Sequence, residues 1–84
     1  MTDNINKPWF LYLIECEDGS IYTGITVDVE KRYKAHETGK GAKYMCAHPP
    51  KRLLKVIAFV NRSEATKAEY MIKKLSAAQK RAIV

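Results

Sequence analysis

Two short apolar segments separated by a tight turn constrain the fold of this sequence more than any other feature. Residues 9–16 and 20–25 are rich in aromatic and β-branched side chains, which favour extended strands. Between them lies Glu17-Asp18-Gly19, a combination typical of turns because Asp and Gly tolerate the backbone angles that turns require. The pattern therefore predicts a β-hairpin.

The length of the hairpin loop decides which side chains share a face, because successive strand residues point to opposite sides. A two-residue loop places Tyr12 and Tyr22 on opposite faces of the hairpin. A three-residue loop, with Gly19 left-handed and Cys16 paired with Ser20, places both tyrosines on one face. These residues permit either loop.

A helix is predicted directly after the hairpin. Asp28 can cap its N-terminus, and the helical pattern continues to about residue 38, where Gly39 and Gly41 end it. Residues 39–51 then form a predicted loop that contains both glycines and several basic side chains.

The second half of the chain predicts one more strand and two helices. Residues 53–60 have strand composition, Ser63 is the expected N-cap of a helix to about residue 75, and residues 76–79 form a capping box before a short last helix. The order β-β-α-β-α-α predicts an α+β fold, with a three-stranded antiparallel sheet and three helices. We expect one domain over residues 9–84, preceded by a flexible N-terminal arm over residues 1–8.

The basic residues are concentrated in the middle of the chain, which has a net charge of +6. Residues 1–30 carry six acidic side chains against one lysine, whereas residues 31–55 carry eight basic side chains against Glu37. Such a region is typical of a surface that binds a polyanion. An ordinary solvated surface would have the same charge, so charge alone leaves both interpretations open.

The sequence also limits the class of protein. It has no apolar run near the roughly 18 residues that span a bilayer, and no secretory signal pattern, so we expect a cytoplasmic protein with reduced thiols at Cys16 and Cys46. A zinc site would require both cysteines to converge with His36 and His48, and their spacing does not favour it.

One acidic residue lies in an unusual place on the second predicted helix. The predicted buried stripe of this helix contains Ala65, Ala68, Ile72 and Leu75, and Glu69 falls inside it. Buried glutamates usually require a partner. Glu69 is therefore either a glutamate at the rim of the core, paired with a neighbouring lysine, or a carboxylate that holds a divalent metal.

Five further residues could contact a ligand. Arg32 and His36 share a helical face and could bind phosphate, although an exposed basic helix has the same pattern. Gly24, near the end of a strand, leaves the backbone open to close approach, or merely lets the chain leave the sheet. Tyr12 and Tyr22 could be core aromatics, since a phenol needs a nearby cation or metal to act as a base at neutral pH.

Together, these residues form an ordered series. Phe10-Leu11-Tyr12 is followed by Tyr22-Thr23-Gly24, then by Arg32 and His36 four residues apart, and later by the helical Glu69. This series resembles the motifs of the GIY-YIG nuclease domain, with Tyr12 retained from the first triplet and with Tyr22 and Gly24 retained from the second.

The resemblance extends over residues 9–82. Residues 21–32 and 39–44 look especially like the small stand-alone bacterial members, the YhbQ-like group. In this family both tyrosines point into one site, so the resemblance favours the three-residue loop.

The resemblance implies hydrolysis of a DNA phosphodiester bond with one divalent metal, Mg²⁺ or Mn²⁺, and no small-molecule cofactor. It implies that Tyr12 and Tyr22 position and deprotonate the attacking water, that Arg32 binds the scissile phosphate and that Glu69 holds the metal. His36 completes the expected catalytic set, and Gly24 is the expected point of backbone approach. The oligomeric state stays open.

The basic middle of the chain then becomes the expected DNA-binding side. Its expected nucleic-acid contacts are Lys31, Lys40, Lys43, Tyr44, Lys51 and Arg52. The alternative is a non-catalytic nucleic-acid-binding module that retains the nuclease fold. A third possibility is an interaction domain whose positive charge serves solubility.

Overall fold

The computed structural model describes residues 7–40 and 47–84, and three strands and three helices are found there. The elements are β1 (Trp9–Cys16), β2 (Ile21–Thr26), α1 (Val29–Glu37), β3 (Pro50–Phe59), α2 (Arg62–Lys73) and α3 (Ala77–Ala82). The strands form an antiparallel sheet in the order β2-β1-β3. The predicted fold class and element order are therefore confirmed. Gly41, Lys43, Tyr44 and Cys46, along with most of the predicted N-terminal arm, lie outside the described residues.

The hairpin has the three-residue loop. The Cys16 amide donates a hydrogen bond to the carbonyl of Ser20 at 2.8 Å, and Gly19 adopts a left-handed φ of 87°. Tyr12 consequently pairs with Gly24 across the two strands. This register brings the tyrosines of β1 and β2 to the same face.

The sheet separates two groups of buried side chains, because alternate residues of β1 point to opposite faces. On one face, α1 covers a cluster that contains Tyr12, Ile14, Cys16, Tyr22, Val29 and Tyr33. On the other face, α2 contributes Ala68 and Ile72 to a cluster built on Leu11, Leu13 and Ile21. The predicted apolar stripe of α2 thus packs against the face opposite to the tyrosines.

Each of the three helices in the described residues begins directly after a residue whose side chain caps its N-terminus, and the cap predicted for α2 is wrong. The Asp28 carboxylate accepts from the Lys31 amide, as expected for α1. We expected Ser63 to cap α2, but Asn61 does so, and its side chain accepts from the Glu64 amide at 3.0 Å. Asn61 lies two residues after the end of β3 and is extended, and α2 begins at the next residue, so Ser63 is already inside the first helical turn.

The third strand begins earlier than predicted, at Pro50 rather than at residue 53. β3 is an edge strand, where proline is tolerated because its missing N–H can face away from the sheet. Pro50 pairs with Cys16, and the register shifts twice along β1 before that pair. The predicted capping box before α3 is confirmed, since the side chains and amides of Ser76 and Gln79 bond reciprocally.

A carboxylate at the end of β1 joins three distant parts of the chain. Glu15 accepts a hydrogen bond from Arg52 Nε of β3 at 2.7 Å and another from Arg81 of α3 at 2.8 Å. Arg81 also donates to the carbonyl of Gly19 in the hairpin turn at 2.9 Å. We call Glu15, Arg52 and Arg81 the Glu15 clamp. It fixes α3 and β3 to the hairpin.

The described residues include no membrane-spanning helix and no cluster of potential metal ligands, and they include one of the two cysteines. None of the helices within residues 7–40 and 47–84 combines the length and apolar character needed to cross a membrane. Cys16 is a buried free thiol. In the same residues, no three His, Cys, Asp or Glu side chains gather as a metal-binding group.

Candidate active site

Three side chains from three different elements meet on the α1 face of the sheet. Tyr12 Oη of β1 lies 3.0 Å from His36 Nε2 of α1, within hydrogen-bond distance. The Tyr22 ring of β2 contacts both, with ring centroids 6.1 Å from Tyr12 and 5.4 Å from His36. We call these residues the tyrosine–histidine cluster. It forms because the hairpin register aligns the tyrosines and the α1 face presents His36 to them.

Gly24 is the residue that lets Tyr12 reach this position. A Cβ atom at Gly24 would lie 2.6 Å from Cζ of Tyr12 and 3.0 Å from Cε2 of Tyr22, and closer still to the Tyr12 hydroxyl. Tyr12 is buried and cannot move aside at low cost. The missing side chain of Gly24 therefore leaves the space in which both tyrosine rings pack against β2.

The surroundings keep both hydrogen-bonded groups uncharged. Burial is the main cause that raises the pKa of Tyr12 to about 12, and the neighbouring Tyr22 adds to it, while Arg32 acts in the opposite direction. Burial, and then the positive charge of Arg32, lower the pKa of His36 below its usual 6.5. At neutral pH the cluster thus contains a phenol bonded to a neutral imidazole, a group that can accept a proton.

Arg32 is the cation next to the cluster. Its hydrogen bond and charge lower the pKa of Tyr12, and the same charge lowers the pKa of His36, so the guanidinium lies close to both. Among the described residues, no salt bridge joins Arg32 to a carboxylate. A guanidinium that faces uncharged partners retains its capacity to bind an anion, and phosphate suits its forked geometry.

Glu69 lies on α2, which covers the opposite face of the sheet. Its carboxylate is one-fifth exposed and lies 3.4 Å from Lys73 Nζ, so the structure contains the lysine-paired glutamate that the sequence allowed. Lys73 and Tyr22 border one groove of about 380 Å³ at the β2 edge, together with Ile21, Thr23 and Lys80. The ion pair of Glu69 therefore adjoins a groove that also reaches the tyrosine–histidine cluster.

A single accessible carboxylate fits one kind of metal site. Mg²⁺ is commonly held by one or two carboxylates, with substrate phosphates and water as its other ligands. Glu69 can provide such a carboxylate, provided that the ion gains access in competition with Lys73. The donor set of the described residues thus fits a metal that binds together with a phosphate substrate.

The expected nucleic-acid contacts differ in their surroundings. Lys31, Lys40 and Lys51 are exposed. Arg52 donates to Glu15 but keeps two-thirds of its side chain exposed. Lys43 and Tyr44 cannot be placed, because they belong to the segment outside the described residues.

Sequence reasoning did not identify Lys80, the buried lysine of the β2 groove. Its Nζ donates to the carbonyl of Ile21 at 3.1 Å, and burial, with the charge of Lys73, lowers its pKa. No local pattern indicates this burial, because the partner is a backbone carbonyl 59 positions away. Lys80 closes part of the open edge of β2.

Known proteins with similar sequences span almost the whole chain. Residues 8–82 match the GIY-YIG catalytic domain. The UPF0213 protein Reut_B5558 of Cupriavidus pinatubonensis is 52% identical over 77 residues, which cover 92% of this chain and 86% of that protein. The UPF0213 protein YhbQ of Escherichia coli O127:H6 is 48% identical over 77 residues, which cover 92% of this chain and 77% of that protein.

Two solution NMR structures have the same fold. The protein EF2693 from E. faecalis matches with a TM-score of 0.63 at 40% identity, over 92% of this chain and 82% of that one. The UPF0213 protein BH0048 from Bacillus halodurans matches with a TM-score of 0.56 at 45% identity, over 90% and 81% of the two chains. The domain match and the identity to these relatives establish that the chain belongs to the GIY-YIG family, alongside the YhbQ-like UPF0213 proteins.

Proposed function

We propose that this protein is a metal-dependent endonuclease that hydrolyses phosphodiester bonds in DNA. The observation that carries the proposal is the hydrogen bond between Tyr12 and the neutral His36, with Arg32 beside both. It joins a proton acceptor to a phosphate-binding cation in one place. Hydrolysis of a phosphodiester requires both functions.

The first step in this mechanism removes a proton from water. Tyr12 is buried whereas Tyr22 is half-buried, so we place the attacking water against the hydroxyl of Tyr22. The proton passes from the water through Tyr22 and Tyr12 to His36 Nε2. The water oxygen forms a bond to phosphorus as the bond to the leaving oxygen breaks. The leaving oxygen then takes a proton from solvent, and His36 returns its proton to solvent. Each phenol gives up one proton and accepts another, so both end unchanged.

The substrate itself favours this transfer. Arg32 lowers the pKa of His36 in the free protein, which makes the imidazole a weaker base. A phosphate bound to the guanidinium neutralises that charge and adds a negative charge nearby, so it raises the pKa of His36. Arg32 then stabilises the additional charge on the phosphate in the transition state.

Glu69 is the proposed ligand of a divalent metal, expected to be Mg²⁺ or Mn²⁺. Such an ion, when bound, polarises the phosphate and stabilises the leaving oxygen. The position of Glu69 beside the groove that Tyr22 and Lys73 border supports this assignment. Metal binding would release Lys73 from its ion pair.

The test is nicking of supercoiled plasmid with Mg²⁺ or Mn²⁺. Replacement of Arg32→Ala is expected to lower the rate by about 10²–10³-fold, because it removes the main anion-binding group, and adding Glu69→Gln should abolish the remainder. The matched controls are Lys34→Ala and Glu64→Gln, which make the same charge changes on the exposed surfaces of α1 and α2. Nicking that persists in the double variant would overturn the proposal.

A second candidate function is a nucleic-acid-binding module that does not cleave. The ion pair between Glu69 and Lys73 favours it, because that carboxylate is already partnered. This candidate predicts binding that weakens steeply with salt, and no nicking with any metal. If Lys40→Gln and Lys51→Gln together leave DNA binding unchanged, the surface that carries these two exposed lysines is not the binding surface.

A further inference from the structure

The outer face of α2 carries a surface that the proposed active site does not use. Lys67, Tyr70, Met71 and Lys74 are spaced by three, four and seven residues, so they lie on one side of the helix. We call these four residues the Tyr70 patch. Tyr70 is 63% exposed and Met71 is 61% exposed, whereas Ala65 on the inner side is fully buried. Two large apolar side chains thus stand side by side in solvent between two lysines.

The lysines of α2 have different partners. Lys67 pairs with Glu64 at 3.5 Å, and Lys73 pairs with Glu69 at 3.4 Å. Lys74 Nζ instead lies 4.3 Å from the centroid of the Tyr70 ring, in a cation–π contact. This contact orients Tyr70, and because 63% of the residue is exposed, a second planar group can still reach its ring.

We propose that the Tyr70 patch binds single-stranded nucleic acid, with a base stacked on Tyr70 and phosphates held by Lys74 and Lys67. Aromatic rings flanked by cations are the usual means by which proteins hold unpaired strands, because every base has a stacking face and every nucleotide has a phosphate. A duplex cannot use such a patch, since its bases are already stacked on each other. The inference rests on the proposed function only in taking nucleic acid as the partner.

The location of the patch relates it to the proposed site. Tyr70 follows Glu69 directly, and one helical residue turns the side chain by about 100°. Glu69 pairs with Lys73 beside the β2 groove, while Tyr70 points into solvent. A strand that leaves the groove can therefore cross α2 over Tyr70. The proposed substrate is DNA with unpaired nucleotides next to the bond that is cut.

The charge of the patch favours nucleic acid over a protein partner. A protein that buried Tyr70 and Met71 would also have to bury or neutralise Lys74, whose ammonium lies over the aromatic ring. A nucleotide can cover the aromatic ring and neutralise Lys74 at the same time, because its base stacks on the ring and its phosphate approaches the ammonium. Binding by a second protein chain is then an outcome that the experiment must detect.

The experiment compares two fluorescent probes with the whole protein in EDTA, where cleavage does not occur. One probe is a 12-nucleotide oligo-dT, and the other is an abasic 12-mer with the same phosphates but no bases. Anisotropy titrations are expected to show about tenfold tighter binding of oligo-dT. Tyr70→Ala should remove this preference and leave binding of the abasic probe unchanged, whereas Tyr70→Phe should retain it.

Two further variants control the comparison. Val60→Ala shortens another exposed apolar side chain, at the end of β3, and should leave both affinities unchanged. Lys74→Gln should weaken binding of both probes by a similar factor, because it removes a phosphate contact. Tyr70 is exposed, so circular dichroism should show that its variants remain folded.

Three results would overturn the inference. They are equal affinity of the wild-type protein for both probes, unchanged binding in Tyr70→Ala, and self-association in sedimentation that Tyr70→Ala abolishes. The plasmid assay separates this inference from the proposed function. If the wild-type protein prefers oligo-dT but does not nick plasmid, the inference about the Tyr70 patch stands and the proposed nuclease function fails. If it nicks plasmid but does not prefer oligo-dT, the nuclease function stands and the inference about the patch fails.

Discussion

The strand β1 carries two polar clusters whose electrostatics are opposite. In the Glu15 clamp, a carboxylate receives two guanidinium groups, and hydrogen bonds from Arg81 and then Arg52 lower its pKa. In the tyrosine–histidine cluster, burial keeps Tyr12 and His36 uncharged beside the cation of Arg32. In the clamp both guanidinium groups pair with a carboxylate, whereas no salt bridge among the described residues joins Arg32, beside the cluster, to one.

This difference distinguishes residues that hold the fold from residues that are available for chemistry. A buried charge with two good partners gains little from a further ligand, and breaking it is costly. A guanidinium beside neutral groups gains strongly when an anion arrives. Changes in the clamp should therefore alter stability, and changes in the cluster should alter activity.

The largest expected effect is that of Gly24→Ala on nicking. The added methyl group must displace the ring of Tyr12 and with it the bond to His36, so the nicking rate should fall by about 10²-fold or more. Circular dichroism should show a folded protein. The conservative change Ile25→Val on the same strand is the control, and a wild-type rate in Gly24→Ala would show that the tyrosine geometry is not needed.

The next effect is the pH dependence of nicking. Because the pKa of His36 is lowered in the free protein, its imidazole remains a proton acceptor below pH 6.5, and the nicking rate at DNA concentrations well below saturation should fall only under more acidic conditions. His36→Gln should lower the rate by about 10²-fold and remove this acidic decline. An acidic decline that persists in His36→Gln would assign the titration to another group.

The free energy of unfolding, like the nicking rate, should decrease under acidic conditions. The unfolded chain binds a proton on His36 near pH 6.5, whereas the folded chain resists protonation until a lower pH. The free energy of unfolding should thus be highest above pH 6.5 and decrease as the pH falls through the lowered pKa. Thermal melts from pH 7.5 to pH 5 of the wild type and of His36→Gln measure the difference.

In the clamp, the expected effect is on stability alone. Glu15→Gln removes the charge that Arg52 and Arg81 share, so the melting temperature should fall by about 5 °C or more. Nicking at 20 °C per folded molecule should stay within about twofold of the wild-type rate. Glu17→Gln, which removes a negative charge from an exposed residue, is the control for the change of charge. A loss of nicking activity without a loss of stability would show that the clamp serves the reaction rather than the fold.

The smallest effect is expected at the hairpin turn. Hydrogen bonds from Ser20, and then the contact with His48, lower the pKa of Asp18 to about 2. This stabilisation is present above the unfolded pKa near 3.9 and is lost as the pH falls through about 2. Asp18→Asn should therefore lower the melting temperature slightly at pH 6 and not at pH 2. Equal differences at both pH values would contradict an electrostatic origin.

The parts of the fold that rest on local patterns could be predicted from the sequence. The hairpin, the Asp28 cap and the capping box depend on residues within a few positions of each other, and the structure contains all three. The cap of α2 was misplaced because Asn61 and Ser63 are both good cap residues. Only the end of β3 decides between them, and that end depends on pairing with a distant strand.

The site could be predicted only in part, for a similar reason. The resemblance to the GIY-YIG motifs predicted that Tyr12, Tyr22 and His36 share one site, and the structure brings them into contact. Ion pairs between residues far apart in the sequence cannot be predicted from the spacing of neighbouring residues. Arg52 therefore had the pattern of a basic surface residue, although it also bonds Glu15, 37 positions away.

The clamp has a consequence for the order in which the chain folds. Arg81 and Glu15 are 66 positions apart, so their contact closes a long loop and is expected to form after the local hairpin. Until α3 docks, Glu15 lacks one of its two guanidinium partners. Opening of α3 in the native state removes the same partner. Amide hydrogens in α3 should thus exchange with solvent through cooperative opening rather than gradual fraying, even though the helix has only six residues.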